Sequence, residues 1–403
     1  MTCREEALSA SEELVALTVR DDPPMQGANS FLRELQAKGP VIRVQTPAGD
    51  EAWLVTRHAE TRELLVDPRL GRSHRDPGNA PKYLDNPMMD LIRLEFDFAT
   101  ELEAHAERRA LLAPYFSGRN IRALQPRVAQ MVDEAVGRLV AQGPPVDIHS
   151  QFSKPLTALV LGELLGVPSE DRAAFPAFMH QLSALGDMQH QAESGRDTLL
   201  GYFRGLAARK RAEPGEDVLS DMALRGYTDE RCAWTAVGLL FAGFGSTSTE
   251  TTMGIARIAS DPVLHDRLVA DPGLIKSAVT EFLRTAGSAE FIFPHYARED
   301  IEIADVTIRA GDLVLMNYGL ANFDERAFRA PDELDITRSP NPHLAFAYGG
   351  WHCTGAPLAK MQLTTTFTNL LAALPMLRLA KPLEDMDRTP GYMSSLAELL
   401  VTW

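Results

Sequence analysis

The sequence predicts a mainly helical protein with a smaller β region, and three observations carry that expectation. Helical patterning runs in several pieces from Asn120 to Ala212, interrupted at Gly143-Pro144-Pro145 and Gly166-Val167-Pro168. Thr228-Asp229-Glu230 reads as a helix cap, and the run it opens can continue to about Ser260. The β signals are short by comparison: Val41–Val44 and Ala52–Val55 flank Pro47-Ala48-Gly49-Asp50 and read as a hairpin.

Composition bounds the function. With 403 residues the chain can bury a large core, and 45% hydrophobic against 24% charged residues is ordinary for a globular protein. A formal charge of -15 argues against a nucleic-acid partner or an anionic membrane surface. The N-terminal residues lack an apolar signal core, and no apolar run is long enough to span a bilayer. Three scattered cysteines, Cys3, Cys232 and Cys353, suit a reducing compartment. The expectation is a cytoplasmic protein.

In chain order, a polar-rich arm from Glu5 to Val19 ends near Pro23-Pro24, and helix is expected from Asn29 to Lys38. After the hairpin, helix runs from about His58 to Val66. Residues 72 to 100 carry few regular signals, and a long loop in a compact fold is more often functional than ornamental. The stretch from His105 to Leu112 opens a helix with His105 and Arg109 on one face, as a solvated charged face would also have. Pro155 to Leu165 is apolar nearly all round and should be buried. Glu281-Phe282-Leu283-Arg284 is a Glu-x-x-Arg on a helix, a spacing frequent in surface pairs.

Two stretches depart from ordinary folding rules. Leu239 to Thr252 places Gly243, Gly245 and six hydroxyl residues inside one helix, although glycine costs about 1 kcal/mol against alanine there. Such violations concentrate at functional sites, so a bulged groove is expected. The second stretch, Phe346 to Lys360, sets Cys353 between Gly349-Gly350 and Gly355, just before Pro357 opens a helix. A helix N-terminus favours thiolate over thiol, poising Cys353 as ligand or nucleophile. A buried structural cysteine is the plain alternative. Zinc lacks ligand spacing, and no signature of a cysteine hydrolase is visible.

Phe346, Gly349, Cys353, Gly355, Leu358 and Ala359 stand in the spacing of the haem-binding loop of cytochromes P450, which this stretch resembles. The resemblance implies a single P450 domain over residues 1–403, with β-rich parts at about 40–56, 290–316 and 376–403. It implies haem b, with Cys353 as the metal ligand and Phe346, Trp351 and Gly355 beside it. Ala347 stands where glycine is usual, and Trp351 where a cation usually meets a haem propionate. His105 and Arg109 match the His-x-x-x-Arg that holds propionates, and His295 takes the place of a third propionate-binding cation. With two cations replaced, the grip on haem is expected to be weaker or more pH-sensitive.

Ala242-Gly243 resembles the start of the P450 oxygen-binding motif. On that match Gly245 replaces the usual acid, Ser246 replaces the oxygen-contacting threonine, and Thr247 is in register; Glu250 is one candidate to replace the lost proton relay. Substrate contacts are implied for Met88, Met89, Phe244, Phe291, Ile292 and Met393. Glu281 and Arg284 become a structural pair, braced by a later meander in which Arg338 is a partner.

The implied activity is monooxygenation, with O2, of a small to medium, mostly apolar natural product of polyketide or terpenoid type. Electrons would come from a ferredoxin and its reductase, docking near cations such as Arg108 and Lys360. Gly245 prompts a second expectation, a non-hydroxylating outcome such as desaturation, coupling or rearrangement. A haem-binding sensor is the third.

Overall fold

The computed structural model describes residues 14–18, 30–84, 97–172, 189–286, 292–389 and 395–403. The N-terminal part comprises β1 (Val15–Ala16), α1 (Ser30–Lys38), the hairpin β2 (Val41–Gln45) and β3 (Glu51–Val55), α2 (His58–Leu64) and β4 (Leu70–Gly71). Then come α3 (Glu101–Leu112), α4 (Gly118–Gln142), β5 (Val146–Asp147), α5 (Lys154–Leu165), α6 (Gln189–Ala212), α7 (Val218–Leu224), α8 (Asp229–Ser260), α9 (Pro262–Ala270) and α10 (Ile275–Arg284). The remainder is β6 (Phe293–Ala297), β7 (Ile301–Ile303), β8 (Val306–Ile308), β9 (Leu313–Met316), α11 (Tyr318–Ala321), α12 (Ala356–Ala373), β10 (Arg378–Leu379), β11 (Arg388–Thr389), β12 (Ser395–Leu396) and β13 (Leu400–Thr402). The mainly helical class agrees with expectation. Among the described residues no helix is long and apolar enough to cross a membrane.

The largest core lies between α4, α5, α6, α8 and α12, where Val128, Leu156, Phe203, Leu240 and Phe367 are buried. The apolar α5 is buried here as its sequence requires, and Gly166 ends it in the left-handed conformation at φ +70°. Ser117 caps α4, and Thr228 caps α8 by accepting from the backbone N–H of Arg231 at 3.2 Å. The main sheet has the order β1-β2-β3-β9-β6-β4. Its β6–β9 pairing sets His295 against Val314, and its β4–β6 pairing sets Gly71 against Tyr296.

Helix α8 corrects one expectation. It is a continuous α-helix, not a bulged one, and its hydroxyls find partners within it by bonding back to carbonyls one turn earlier: Ser246 Oγ to Ala242 at 2.9 Å, Thr251 Oγ1 to Thr247 at 2.8 Å and Thr252 Oγ1 to Ser248 at 3.0 Å. Irregularity appears instead beside it, in the π-helical turn His149–Ser153 that leads into α5. There His149 Nδ1 lies 3.0 Å from Thr252 Oγ1.

Glu281 and Arg284 lie on α10 with both side chains fully buried, and Arg284 donates two hydrogen bonds to the Glu281 carboxylate at 2.8 and 2.9 Å. Arg284 also reaches the carbonyls of Asn322, Pro331 and Glu333. Glu281 in turn accepts from Arg338 Nε, Asn341 Nδ2 and the Asp335 backbone N–H. This network fixes the irregular chain from Asn322 to Asn341, and so the approach to the cysteine loop.

Candidate active site

Cys353 follows a single 3-10 turn, Gly349–Trp351, and precedes α12. Its backbone N–H donates to the Phe346 carbonyl at 2.8 Å, which closes the loop. Two residues make that closure possible. Gly349 sits at φ +61°, and a Cβ there would lie 2.6 Å from Val66 Cγ1, so only glycine fits. Ala347 holds φ +56°, a left-handed conformation that costs a side-chain-bearing residue about 1–2 kcal/mol.

The thiol itself combines two properties. Its surface is exposed, yet the surrounding protein desolvates it and pushes its pKa up. The helix N-terminus acts as expected in direction, since the N–H groups of Gly355 and Ala356, then Arg109 and Arg72, favour the thiolate. Burial is the largest influence on the group and acts in the opposite direction, toward the thiol.

Glu101 anchors the first turn of α3, which therefore begins four residues before His105. Its fully buried carboxylate accepts from the Arg72 N–H at 2.6 Å, from the Ser73 hydroxyl at 2.5 Å and from Arg298 at 3.1 Å. One turn on, the His105 ring lies 4.3 Å from the Trp351 indole, and Arg109 donates to the His352 carbonyl at 2.5 Å. Burial, followed by the charges of Arg72, Arg109 and Arg108, lowers the His105 pKa to about 4. His295 is fully buried on β6 and meets the edge of Trp351 at 5.7 Å. Thus His105, Arg109, His295 and Trp351 converge beside the cysteine loop. Arg72 joins them with its guanidinium 4.6 Å from the Trp351 ring; it gave no sequence signal because it opens the irregular stretch after β4.

Helix α8 presents a bare stripe at helical spacing: Gly238, Phe241 and Ala242 are exposed, and Gly245 and Ser246 are half-buried within it. Two expected contacts fall on the wrong side. Phe244 is buried in the main core, and Gly243 faces α5, where a Cβ would lie 3.0 Å from Leu161. A helix turns about 100° per residue, so neighbours of an open position point away from it. Phe241 is the aromatic the stripe exposes, and the periodicity of the buried positions would have found it. Thr247 is half-buried. Glu250 is buried, and its charge bears on the buried Arg257.

Ile292 is buried with Leu17, Tyr83 and Leu315 in the core beneath the main sheet, correcting its placement in the pocket. Met88, Met89, Phe291 and Met393 lie outside the described residues. Phe346 packs partly against the main core, with Lys360 Nζ 5.4 Å from its ring centre. A Cβ on Gly355 would lie 3.7 Å from the Cys353 sulfur, an ordinary contact, so this glycine is not demanded by space.

Comparison with known proteins identifies the family. The family model "Cytochrome P450" matches residues 273–395. The chain is 36% identical over 373 residues to pentalenolactone synthase of Streptomyces exfoliatus, covering 91% of this chain and 93% of that protein. It is 34% identical over 389 residues to the mycinamicin IV hydroxylase/epoxidase of Micromonospora griseorubida, covering 92% and 94%. Among solved structures, substrate-free cytochrome P450 PimD, a polyene macrolide antibiotic pimaricin epoxidase, matches at a TM-score of 0.89 and 44% identity, covering 98% of this chain and 100% of that one. The chain belongs to the cytochrome P450 family, and as an enzyme it is a monooxygenase.

Proposed function

We propose that the chain carries haem b on Cys353 and oxidises a small to medium, mostly apolar natural product of polyketide or terpenoid type. The observation that carries this reading is the Cys353 thiol, bare yet desolvated, beside a group of cations. The residues present fit the cofactor: one thiol for iron, with His105, Arg109, His295 and Trp351 as donors for carboxylates. Phe346, Gly355 and Ala242 complete the contacts assigned to it. When bound, thiolate-ligated haem supplies the oxidising chemistry through dioxygen.

The chain's own residues then have distinct tasks. The N–H groups of Gly355 and Ala356 and the Arg109 charge hold the Cys353 sulfur as thiolate once its proton has left. Ser246 Oγ, which donates to the Ala242 carbonyl, would have to turn from it to offer its proton on the open side of the helix. Thr247 supports it from the next position. Phe241 on the bare stripe joins Met88, Met89, Phe291 and Met393 in lining the substrate pocket. An acidic ferredoxin, recharged by its reductase, docks near Arg108 and Lys360. The 403 residues act as one domain in the cytoplasm, a reading supported by relatives of similar length and by the unpaired thiols of Cys232 and Cys353.

The polyketide assignment draws support from the similarity to an epoxidase named for a polyene macrolide antibiotic. A second reading, desaturation, coupling or rearrangement, rests on Gly245, which puts no acid on the open stripe while Glu250 is held near Arg257. Ligands are first sought by the change they cause in the haem spectrum, and turnover is then run under isotope-labelled dioxygen. Label in the product supports monooxygenation; an oxidised product without label overturns it in favour of the second reading.

A further inference from the structure

Arg72 stands where three elements meet. It directly follows β4, and the antiparallel register of Gly71 with Tyr296 sets the next position opposite His295. Its backbone N–H is fixed to Glu101 at 2.6 Å, in the first turn of the helix that carries His105 and Arg109. Its guanidinium lies 4.6 Å from the Trp351 ring centre, while His105 approaches the same indole at 4.3 Å and His295 meets its edge at 5.7 Å. An arginine on an indole face is held in orientation by the ring quadrupole.

The charges that bear on His105 are Arg72, Arg109 and Arg108, and Arg109 and Arg72 bear on Cys353. Among the described residues, the Glu101 carboxylate accepts from the Arg72 and Ser73 backbones, the Ser73 hydroxyl and Arg298. A cationic cradle next to a desolvated thiol is matched to a ligand bearing carboxylates.

We propose that Arg72, oriented by Trp351, binds a haem propionate and supplies the cation that Trp351 itself cannot. This rests on the haem reading above. Trp351 is then a platform: it contributes no charge but fixes where the Arg72 charge sits. Arginine also keeps its charge at any working pH, whereas His105 and His295 depend on protonation. Arg72 is a positioning and cofactor-binding residue, with no part in the chemistry of the substrate.

The test compares holoprotein with Arg72→Gln and Arg72→Lys for the rate of haem transfer to an excess of apomyoglobin. Each protein is also reconstituted with haem dimethyl ester, whose propionates carry no charge. With natural haem, Arg72→Gln is expected to lose cofactor about tenfold faster, the order expected for removing one hydrogen bond to a charged group, and Arg72→Lys to lie between. With the dimethyl ester, wild type and Arg72→Gln are expected to lose it at the same rate. Equal rates with natural haem overturn the proposal, as does an equal acceleration with both haems, which marks a merely structural role. Failure of the haem reading shows separately, as wild-type protein that takes up no haem.

Discussion

Ser246 and His149 make residue-scale claims on either side of α8. Ser246 already spends its hydroxyl proton on the Ala242 carbonyl, so its use in oxygen chemistry requires a rotation that breaks that 2.9 Å bond. Ser246→Ala should raise hydrogen peroxide released per product several-fold with little change in substrate binding, measured as peroxide against product under turnover. His149 bears on stability instead. Burial first, then Lys154, lowers its pKa to about 4, so the folded state keeps it neutral while the unfolded chain protonates it below about pH 6.5. Its stabilising contribution is therefore complete above that pH and is lost as pH falls toward 4, at up to about 1.4 kcal/mol per unit. Denaturant unfolding at pH 7 and pH 5 should show the loss, and His149→Gln should reduce it, leaving the parts due to His105 and His343, whose pKa values burial also lowers. Sequence made Cys353 legible because glycines, cysteine and proline each have few backbone roles. It did not reveal Arg72 or the His149–Thr252 contact, because both depend on elements far apart in the chain meeting in space.

At the scale of elements, α10 and the chain it braces carry a clear energetic statement. Both charges of the Glu281–Arg284 pair are fully buried, and each is satisfied by several further bonds. Removing one partner strands the other without solvent, a cost of about 3–5 kcal/mol. Glu281→Gln should accordingly lower unfolding free energy by that order and reduce the fraction of protein purified with haem, read from denaturant curves and from the absorbance ratio of haem to protein. The Glu-x-x-Arg spacing alone did not separate a buried pair from a surface one; the Asn322–Asn341 carbonyls make the difference. Helix α8 shows the converse limit. Its boundaries were readable from the Thr228 cap, but which of Phe241 and Phe244 faces the open side depends on rotation about the helix axis. A local run of glycines and hydroxyls does not encode that rotation, and the hydroxyls are satisfied by carbonyls of the same helix where a bulge was expected.

In the whole molecule, a mostly helical core and a side sheet bring the cysteine loop together with His105, Arg109, His295 and Arg72 around Trp351. The order of motifs along the chain made the family legible: His-x-x-x-Arg on α3, Ala-Gly on α8, Glu-x-x-Arg on α10, then the cysteine loop. The sheet's register was not legible, since β4 and β9 are short and pair with strands more than 200 residues away in sequence. That register decides which side chains meet at Trp351. The most direct test of the account is the carbon monoxide difference spectrum of the reduced holoprotein, with Cys353→Ser alongside. The account predicts a thiolate-type Soret shift in wild type that disappears in the variant; a wild-type spectrum without that shift, or a variant that retains it, would contradict the assignment of Cys353.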